Sequence, residues 1–449
     1  MYPYEKIGVN DMYLHGTSQI NEQGHLTIGG CDSVALVEQF GTPLYVMDEA
    51  LIRERCQSFV NVFRESGLKY QVAYASKAFC VKAMCRLVEQ EGMSLDVVSE
   101  GELHTALEAG FPAERIHFHG NNKTPDEIAF ALEAGIGCFV VDNFVELYML
   151  NEIAASRNII ANILFRLTPG IEAHTHEFIT TGQTDSKFGF DLGNGAAMEA
   201  VGQALQLDNV NLLGTHSHIG SQIFDTNGFQ LAVVKLTQFA EDVRQRFNHV
   251  FPVLNLGGGF GIRYVTEDDP LPVGEYVQAL VDTIKSEFDK HQYPYPEVWI
   301  EPGRSVVGDA GTTLYTIGTY KDIPGVNKYV SVDGGMSDNI RPALYGAVYE
   351  AMLANRANDP AEETVTIAGK ACESGDKLIL DIKLPKAVTG DILAVSCTGA
   401  YNYSMASNYN RIRRPAVVFV NNGKAEIVVQ RESLDDIVKN DVIPAYLAK

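Results

Sequence analysis

The chain has no Cys-x-x-Cys pair and no His-rich partner for its cysteines, which are Cys31, Cys56, Cys80, Cys85, Cys138, Cys372 and Cys397. An odd, scattered set supports neither a disulfide framework nor a zinc site, and no resident metal is expected. Positive charge is scarce too. With 35 Lys and Arg against 57 Asp and Glu the net charge is −22, and the pI is about 4.9. This argues against nucleic acid or an anionic membrane as main partner. A small anionic ligand stays open, because a local arginine cluster outweighs the global field. No apolar run is long enough to span a bilayer. The start, Met1-Tyr2-Pro3-Tyr4-Glu5-Lys6, lacks a basic segment followed by an apolar one, so no signal peptide is expected. The cysteine usage and the missing leader together suggest the reducing cytoplasm. No internal repeat or low-complexity linker is visible.

What is present suits a soluble globular protein with a sizeable core: 449 residues, 46% hydrophobic and 20% charged. Residues 1–42 are polar and Gly-rich, with short strand-like pieces such as His25-Leu26-Thr27-Ile28 and no helical pattern. From about Thr42, strand-like runs alternate with amphipathic helices. Eight strand candidates follow: Gln71–Lys77, Ser94–Ser99, Ile116–Gly120, Cys138–Asn143, Ile163–Thr168, Leu212–Ser221, Val253–Gly259 and Glu297–Arg304. Between them, Glu100–Gly110, Asn143–Ala155 and Phe229–Phe247 read as helices. Thr124-Pro125-Asp126-Glu127 opens another, with Thr as N-cap, Pro at the first position and Glu at the third, and Gly135 closes it.

This alternation predicts a (β/α)8 (TIM) barrel over 43–308, the other arrangement being a doubly wound open sheet. The polar residues favour the barrel. Strand after strand ends in chemically capable groups: Lys77, Asp96, His119 with Asn121 and Asn122, Asp142, Arg166, His218, the glycines at 257–259, then Glu301 and Arg304. A barrel gathers such ends on one rim; an open sheet spreads them along an edge. After Gly308 the pattern turns to strands joined by turns: Thr312–Tyr320, Lys328–Asp333, Thr364–Lys370, Asp391–Ser396, Ala416–Val420 and Lys424–Gln430. Residues 309–449, completed by 1–42, are expected to form a second domain, a β-sandwich or β-barrel-like unit.

The stretch Val72-Ala73-Tyr74-Ala75-Ser76-Lys77-Ala78-Phe79 places one lysine at a strand end between small residues. Burial there would lower its pKa and free the amine for Schiff-base chemistry, although a surface lysine after an edge strand reads the same way. Asn255-Leu256-Gly257-Gly258-Gly259-Phe260-Gly261 frees backbone N–H groups to approach an anion such as phosphate. No G-K-[ST] follows, so it is not a nucleotide P-loop, and a tight strand-exit turn is the alternative. Glu301-Pro302-Gly303-Arg304 holds a carboxylate and a guanidinium at a strand end, as a fixed polar site or as a capping ion pair. His216-Ser217-His218-Ile219-Gly220-Ser221-Gln222 sets two imidazoles on one strand face, one of which can stack on a planar cofactor or sit satisfied in the core. Cys372-Glu373-Ser374-Gly375-Asp376 offers a thiol beside two carboxylates, a proton donor or a buried cysteine near a turn. Arg341-Pro342-Ala343-Leu344-Tyr345 and Gly399-Ala400-Tyr401 add a guanidinium and two phenols, and Arg411, Arg413 and Arg414 read as a solvated face.

In this order, these motifs resemble the alanine-racemase-like (fold type III) pyridoxal-phosphate decarboxylases, and within that family the branch acting on meso-2,6-diaminopimelate. The likeness runs from about His15 to Leu434. It implies a (β/α)8 barrel plus a β domain containing the N-terminal strand. It implies pyridoxal 5'-phosphate held by Lys77, with His218 on the ring face and Glu301 on the pyridine nitrogen. Gly257, Gly258, Gly259, Pro302, Gly303 and Arg304 would line the cofactor, with Ser221 and, on position alone, Asp96. Cys372 would protonate the α-carbon after CO2 leaves, entering with Glu373 from the second subunit of a homodimer. Arg304, Arg341, Tyr345, Glu373 and Tyr401 would contact substrate, Tyr401 also lying near the phosphate. The resemblance assigns no role to His119, Asp142, Arg166 or Lys187. One departure is Asn402, where many relatives have Gly.

The implied substrate is physically reasonable. Diaminopimelate carries a carboxylate and an ammonium at its far end, so its site needs an arginine fork and an acid. Arg304, Arg341 and Glu373 supply both. An ornithine- or arginine-type decarboxylase would need only acids there. A racemase of this fold tends to set arginine on the pyridine nitrogen and tyrosine opposite the lysine. A non-catalytic cofactor binder is expected to lack Cys372 or the substrate arginines. The implied reaction is decarboxylation to L-lysine and CO2, the last step of lysine biosynthesis.

Overall fold

The eight strands close on themselves. In the computed structural model, which describes residues 12–171 and 186–448, the strands are Tyr70–Ala75, Ser94–Val97, Ile116–Phe118, Cys138–Val141, Ala161–Thr168, Val210–His216, Val253–Asn255 and Glu297–Ile300. Each pairs in parallel with the next, and Glu297–Ile300 returns to Tyr70–Ala75 through Val298↔Tyr70 and Ile300↔Val72. The strands are rich in apolar residues because both faces are covered; Cys138-Phe139-Val140-Val141 is buried throughout. Inside, Cys138, Val140, Leu164, Val253 and Trp299 form one cluster. The Trp299 ring stacks on His117 with centroids 4.1 Å apart. The helices form where the sequence signals them. Thr124 and Glu127 make a reciprocal capping box, and Gly135 ends that helix at φ 73°. Ser99 caps Glu100–Glu108, and Asn143 caps Phe144–Ser156 rather than belonging to it. The helix expected over Phe229–Phe247 starts earlier, at Asn227.

Seven of the eight strands stop short of the expected end; Ala161–Thr168 alone reaches it. For the last three the parallel ladder ends on the row His216–Asn255–Trp299. Beyond it pairing gives way to single bonds, such as Glu301 N–H to the Gly257 carbonyl at 2.8 Å. Glycines and Pro302, which lacks an N–H, cannot extend a regular ladder. His218, Gly257–Gly259 and Glu301–Arg304 therefore stand on loops past the strands, and Asp96 alone of the expected site residues lies within one. The two imidazoles read as sharing a strand face are divided: His216 ends its strand and His218 lies beyond it.

The chain divides into two compact units. One is Arg53–Ile262 with Asp269–Val306, which holds the barrel; the other takes the chain up to Ile52, Arg263–Asp268 and the chain from Val307. In this second unit a sheet runs in the order Lys377–Leu384, Glu363–Ala368, Asn327–Val332, Gly311–Ile323, Leu44–Asp48, Ala416–Asn421, Lys424–Val429. Ile392–Val395 pairs with both Gly311–Ile323 and Ala351–Leu353. Leu44-Tyr45-Val46-Met47-Asp48 explains why the unit reaches past residue 42. Buried at every position, it lies antiparallel to Gly311–Ile323 and parallel to Ala416–Asn421. The first 42 residues also contain a helix that was not expected, Ser33–Phe40, capped by the Asp32 carboxylate. Leu26, Ile28, Leu36, Val46, Leu314 and Val418 share the core of this unit. Among the described residues no helix is long and apolar enough to cross a membrane.

Candidate active site

Lys77 does not sit on the strand. Tyr70–Ala75 ends before it, and Ser76–Ala78 form a single 3-10 turn. Ser76 and Ala78 are buried while Lys77 is exposed, where the sequence argument supposed a buried lysine. The turn lifts the long side chain over the rim and packs its small neighbours inward. Glu102 fixes the turn: its Oε2 accepts from Ser76 Oγ at 3.0 Å and from Val98 N–H at 2.7 Å.

Glu301 is the buried anion of this rim. His216 Nε2 lies 2.9 Å from its Oε2 in a directed hydrogen bond. Asn255 Nδ2 donates to Oε1 at 2.6 Å. His119 Nε2 also approaches Oε1, at 2.8 Å. Burial works to raise the Glu301 pKa, but the imidazoles of His119 and His216 outweigh it and hold the carboxyl well below its usual range. Asp96 behaves oppositely. Burial pushes it up to about 6, with His119 pulling the other way, and its Oδ1 finds no hydrogen-bond partner among the described residues.

The glycine loop lies against the same carboxylate. Gly257 has φ 67°, and a Cβ there would come within 2.5 Å of the Ser217 carbonyl. A Cβ on Gly258 would lie 2.1 Å from the Glu301 carbonyl. Only glycine admits this approach. Gly258 N–H donates to His218 Nδ1 at 3.2 Å, which fixes the tautomer with the proton on Nε2. Burial, then Lys77 and Arg166, hold His218 well below its usual pKa, so its ring is neutral. Arg304 opens the short helix Arg304–Val307, and its Nη2 donates to Ser221 Oγ at 3.0 Å. The barrel unit thus brings Lys77, Asp96, His218, Ser221, Gly257–Gly259 and Glu301–Arg304 to one rim.

The other expected residues lie in the β unit. Arg341 is buried at the start of the helix Arg341–Tyr345. Its Nη1 donates to the hydroxyls of Tyr349 at 2.7 Å and Tyr264 at 3.0 Å. Its guanidinium stands 5.9 Å from the Tyr401 ring centroid. Tyr401 holds φ 64°, a costly conformation for a bulky residue. Asn402, beside it, is buried. Tyr345 is half-buried, while Cys372 and Glu373 are exposed. Asp376 anchors their loop, its carboxylate accepting from Met336 N–H at 2.7 Å and Ala371 N–H at 2.8 Å. The late arginines face solvent with acidic partners, Arg411 on Asp441 and Arg414 on Glu432.

Sequence reasoning missed Asn255, His216 and His119 as partners of Glu301. The signal was present: all three lie at strand ends, one on the residue that opens the glycine motif. Of the other unassigned positions, Arg166 lies over the Phe188 ring at 4.1 Å and Lys187 at 4.9 Å. Asp142 N–H donates to Glu146, itself paired with buried Lys123 at 2.6 Å.

Residues 49–308 match the family model described as pyridoxal-dependent decarboxylase, pyridoxal binding domain. The diaminopimelate decarboxylase of Bacillus subtilis (strain 168) is 60% identical over 431 residues, covering 96% of this chain and 98% of the relative. That of Staphylococcus aureus (strain COL) is 51% identical, covering 95% and 99%. The crystal structure of the diaminopimelate decarboxylase from M. jannaschii in co-complex with L-lysine superposes with TM-score 0.90 at 37% identity, covering 96% and 99%. With its closed barrel, glycine loop and buried rim carboxylate, the chain belongs to the pyridoxal-dependent decarboxylases, in the diaminopimelate decarboxylase family.

Proposed function

We propose that this chain decarboxylates meso-2,6-diaminopimelate to L-lysine and CO2, the last step of lysine biosynthesis, with pyridoxal 5'-phosphate on Lys77. The carrying observation is Glu301, a buried carboxylate kept ionised at the barrel rim by the imidazoles around it. The residues present fit the cofactor. Glu301 suits a protonated pyridine nitrogen, the flat neutral ring of His218 suits a π-face, and the glycine bend leaves no room for a side chain where backbone must approach a phosphate. When bound, pyridoxal phosphate supplies the sink for the electron pair released with CO2.

The chain's own groups do the rest. Lys77 supplies the amine that holds the cofactor. Glu301, held as an anion, would favour a proton on the ring nitrogen of the bound cofactor. Cys372, exposed on its own chain, is read as the proton donor to the α-carbon, delivered with Glu373 into the site of a second copy. The active species is accordingly a cytoplasmic homodimer. Arg304 and Arg341 take the substrate's distal carboxylate, with Glu373 taking its ammonium and Tyr345 and Tyr401 flanking. The barrel and β domain are assigned as 43–308 and as 1–42 with 309–449, trimmed by the strand Leu44–Asp48. Incubation with meso-diaminopimelate and pyridoxal phosphate is expected to yield equal amounts of CO2 and L-lysine. Absence of lysine with cofactor bound would sink the proposal.

A further inference from the structure

One of the residues holding Glu301 has a second task. Asn255 is the last residue of its strand and fully buried. Its Nδ2 donates to Glu301 Oε1 at 2.6 Å, and its Oδ1 accepts from Gly257 N–H at 2.9 Å. Glu301 N–H in turn donates to the Gly257 carbonyl at 2.8 Å. These bonds close a ring through one side-chain amide, the first glycine of the loop and the rim carboxylate. The orientation of the amide is forced, because a carboxylate demands a donor and a backbone N–H demands an acceptor. Leucine has neither group, and ionised aspartate keeps only the acceptor.

We infer that Asn255 is a positioning residue that fixes the Glu301 carboxylate and the glycine loop relative to each other. The inference rests on the reading of Glu301 as partner of the pyridine nitrogen and of the glycine loop as the phosphate seat. His216 holds Oε2 and His119 approaches Oε1 at 2.8 Å, but neither contact ties the carboxylate to the loop at Gly257 as Asn255 does. The further titratable and charged groups that Glu301 feels are Asp96, His117, His218, Arg166 and Cys138. Of these, His218 meets the loop one residue on, accepting from Gly258 N–H, whereas the Asn255 amide bonds both Glu301 and Gly257. The amide therefore makes two ends of one ligand site a single rigid object.

The test uses holoenzyme loaded with pyridoxal phosphate labelled with 15N in the ring. The 15N resonance reports protonation at the Glu301 end, and the 31P resonance reports the loop end. Asn255→Leu is expected to move both and to weaken cofactor affinity on the order of tenfold. Asn255→Asp keeps the acceptor for Gly257 and sets a second carboxyl against Glu301, so the pair shares a proton and titrates together. Its ring-nitrogen resonance and kcat are expected to acquire a pH dependence across the neutral range that the unsubstituted enzyme, measured alongside, does not show, while 31P stays unmoved. A residue needed only for folding would lower Tm and leave both resonances in place. Should Asn255→Leu fail to fold, Asn255→Asp decides alone. Wild-type ring-nitrogen shifts in Asn255→Asp at every pH would overturn the inference. Glu301→Gln is the control: an unmoved 15N resonance there removes the reading of Glu301 itself, whereas a moved one beside an unmoved Asn255→Asp removes only the role of Asn255.

Discussion

Ala75 N–H donates to the Pro302 carbonyl at 3.0 Å. This bond ties the strand that delivers Lys77 to the loop that delivers Glu301, across the seam where the barrel closes. Gly303 completes the join. A Cβ on it would lie 3.0 Å from the Ala75 Cβ and 3.4 Å from the Ala78 Cβ. Gly303→Val should therefore push the turn holding Lys77 outward, at an overpacking cost of about 1–3 kcal/mol. Titration with pyridoxal phosphate should show weakened binding with the far-ultraviolet spectrum unchanged. Binding of wild-type strength would mean the seam does not position Lys77.

Lys77→Ala should abolish the visible absorbance band of the bound cofactor. The residue is exposed and its neighbours pack inward, so Tm should shift little. A band that survives the substitution would remove Lys77 from the centre of the site.

Cys372→Ser should lower kcat by about 100-fold or more, the usual contribution of a positioned proton donor, while leaving cofactor absorbance intact. Mixing this variant with Lys77→Ala tests sharing between subunits. A hybrid dimer contains one site with both Lys77 and Cys372, so activity should reappear on mixing. No recovery after subunit exchange would place Cys372 in the site of its own chain.

Arg341→Ala should lower kcat/KM for diaminopimelate by about 10- to 100-fold, the worth of hydrogen bonds to a charged group. Tyr349→Phe and Tyr264→Phe, which loosen the guanidinium without deleting it, should cost less. Unchanged kinetics in Arg341→Ala would exclude it from the site.

Asp96 predicts a pH dependence of stability. Its folded pKa is about 6, above the unfolded value of about 3.9. Between the two, the native state binds a proton that the unfolded chain lacks, so this group's contribution falls as pH rises through that window and is constant beyond it. Asp96→Asn should remove that slope in urea unfolding of the apoprotein. Superimposable pH profiles for the two proteins would contradict the raised pKa.

The division between sequence and tertiary structure is visible in particular residues. Local pattern was sufficient for the eight barrel strands and for the helix that Thr124, Pro125, Glu127 and Gly135 announce, because hydrophobic period and capping chemistry act within a few residues. It also picked out Glu301 and the glycine loop, whose residue types suit little else at a strand end. It did not end the strands correctly, since a strand stops where its neighbour's ladder stops, and that neighbour is remote in the chain, as with His216, Asn255 and Trp299. It assigned Leu44–Asp48 to the barrel because a buried strand reads alike in either sheet; only pairing with Gly311–Ile323 and Ala416–Asn421 decides. It supposed a buried Lys77, whereas a single turn exposes it. The partners of Glu301 were hidden for the same reason. His119 follows one strand while His216 and Asn255 each end another, and nothing in their spacing along the chain says that barrel closure brings all three onto one carboxylate.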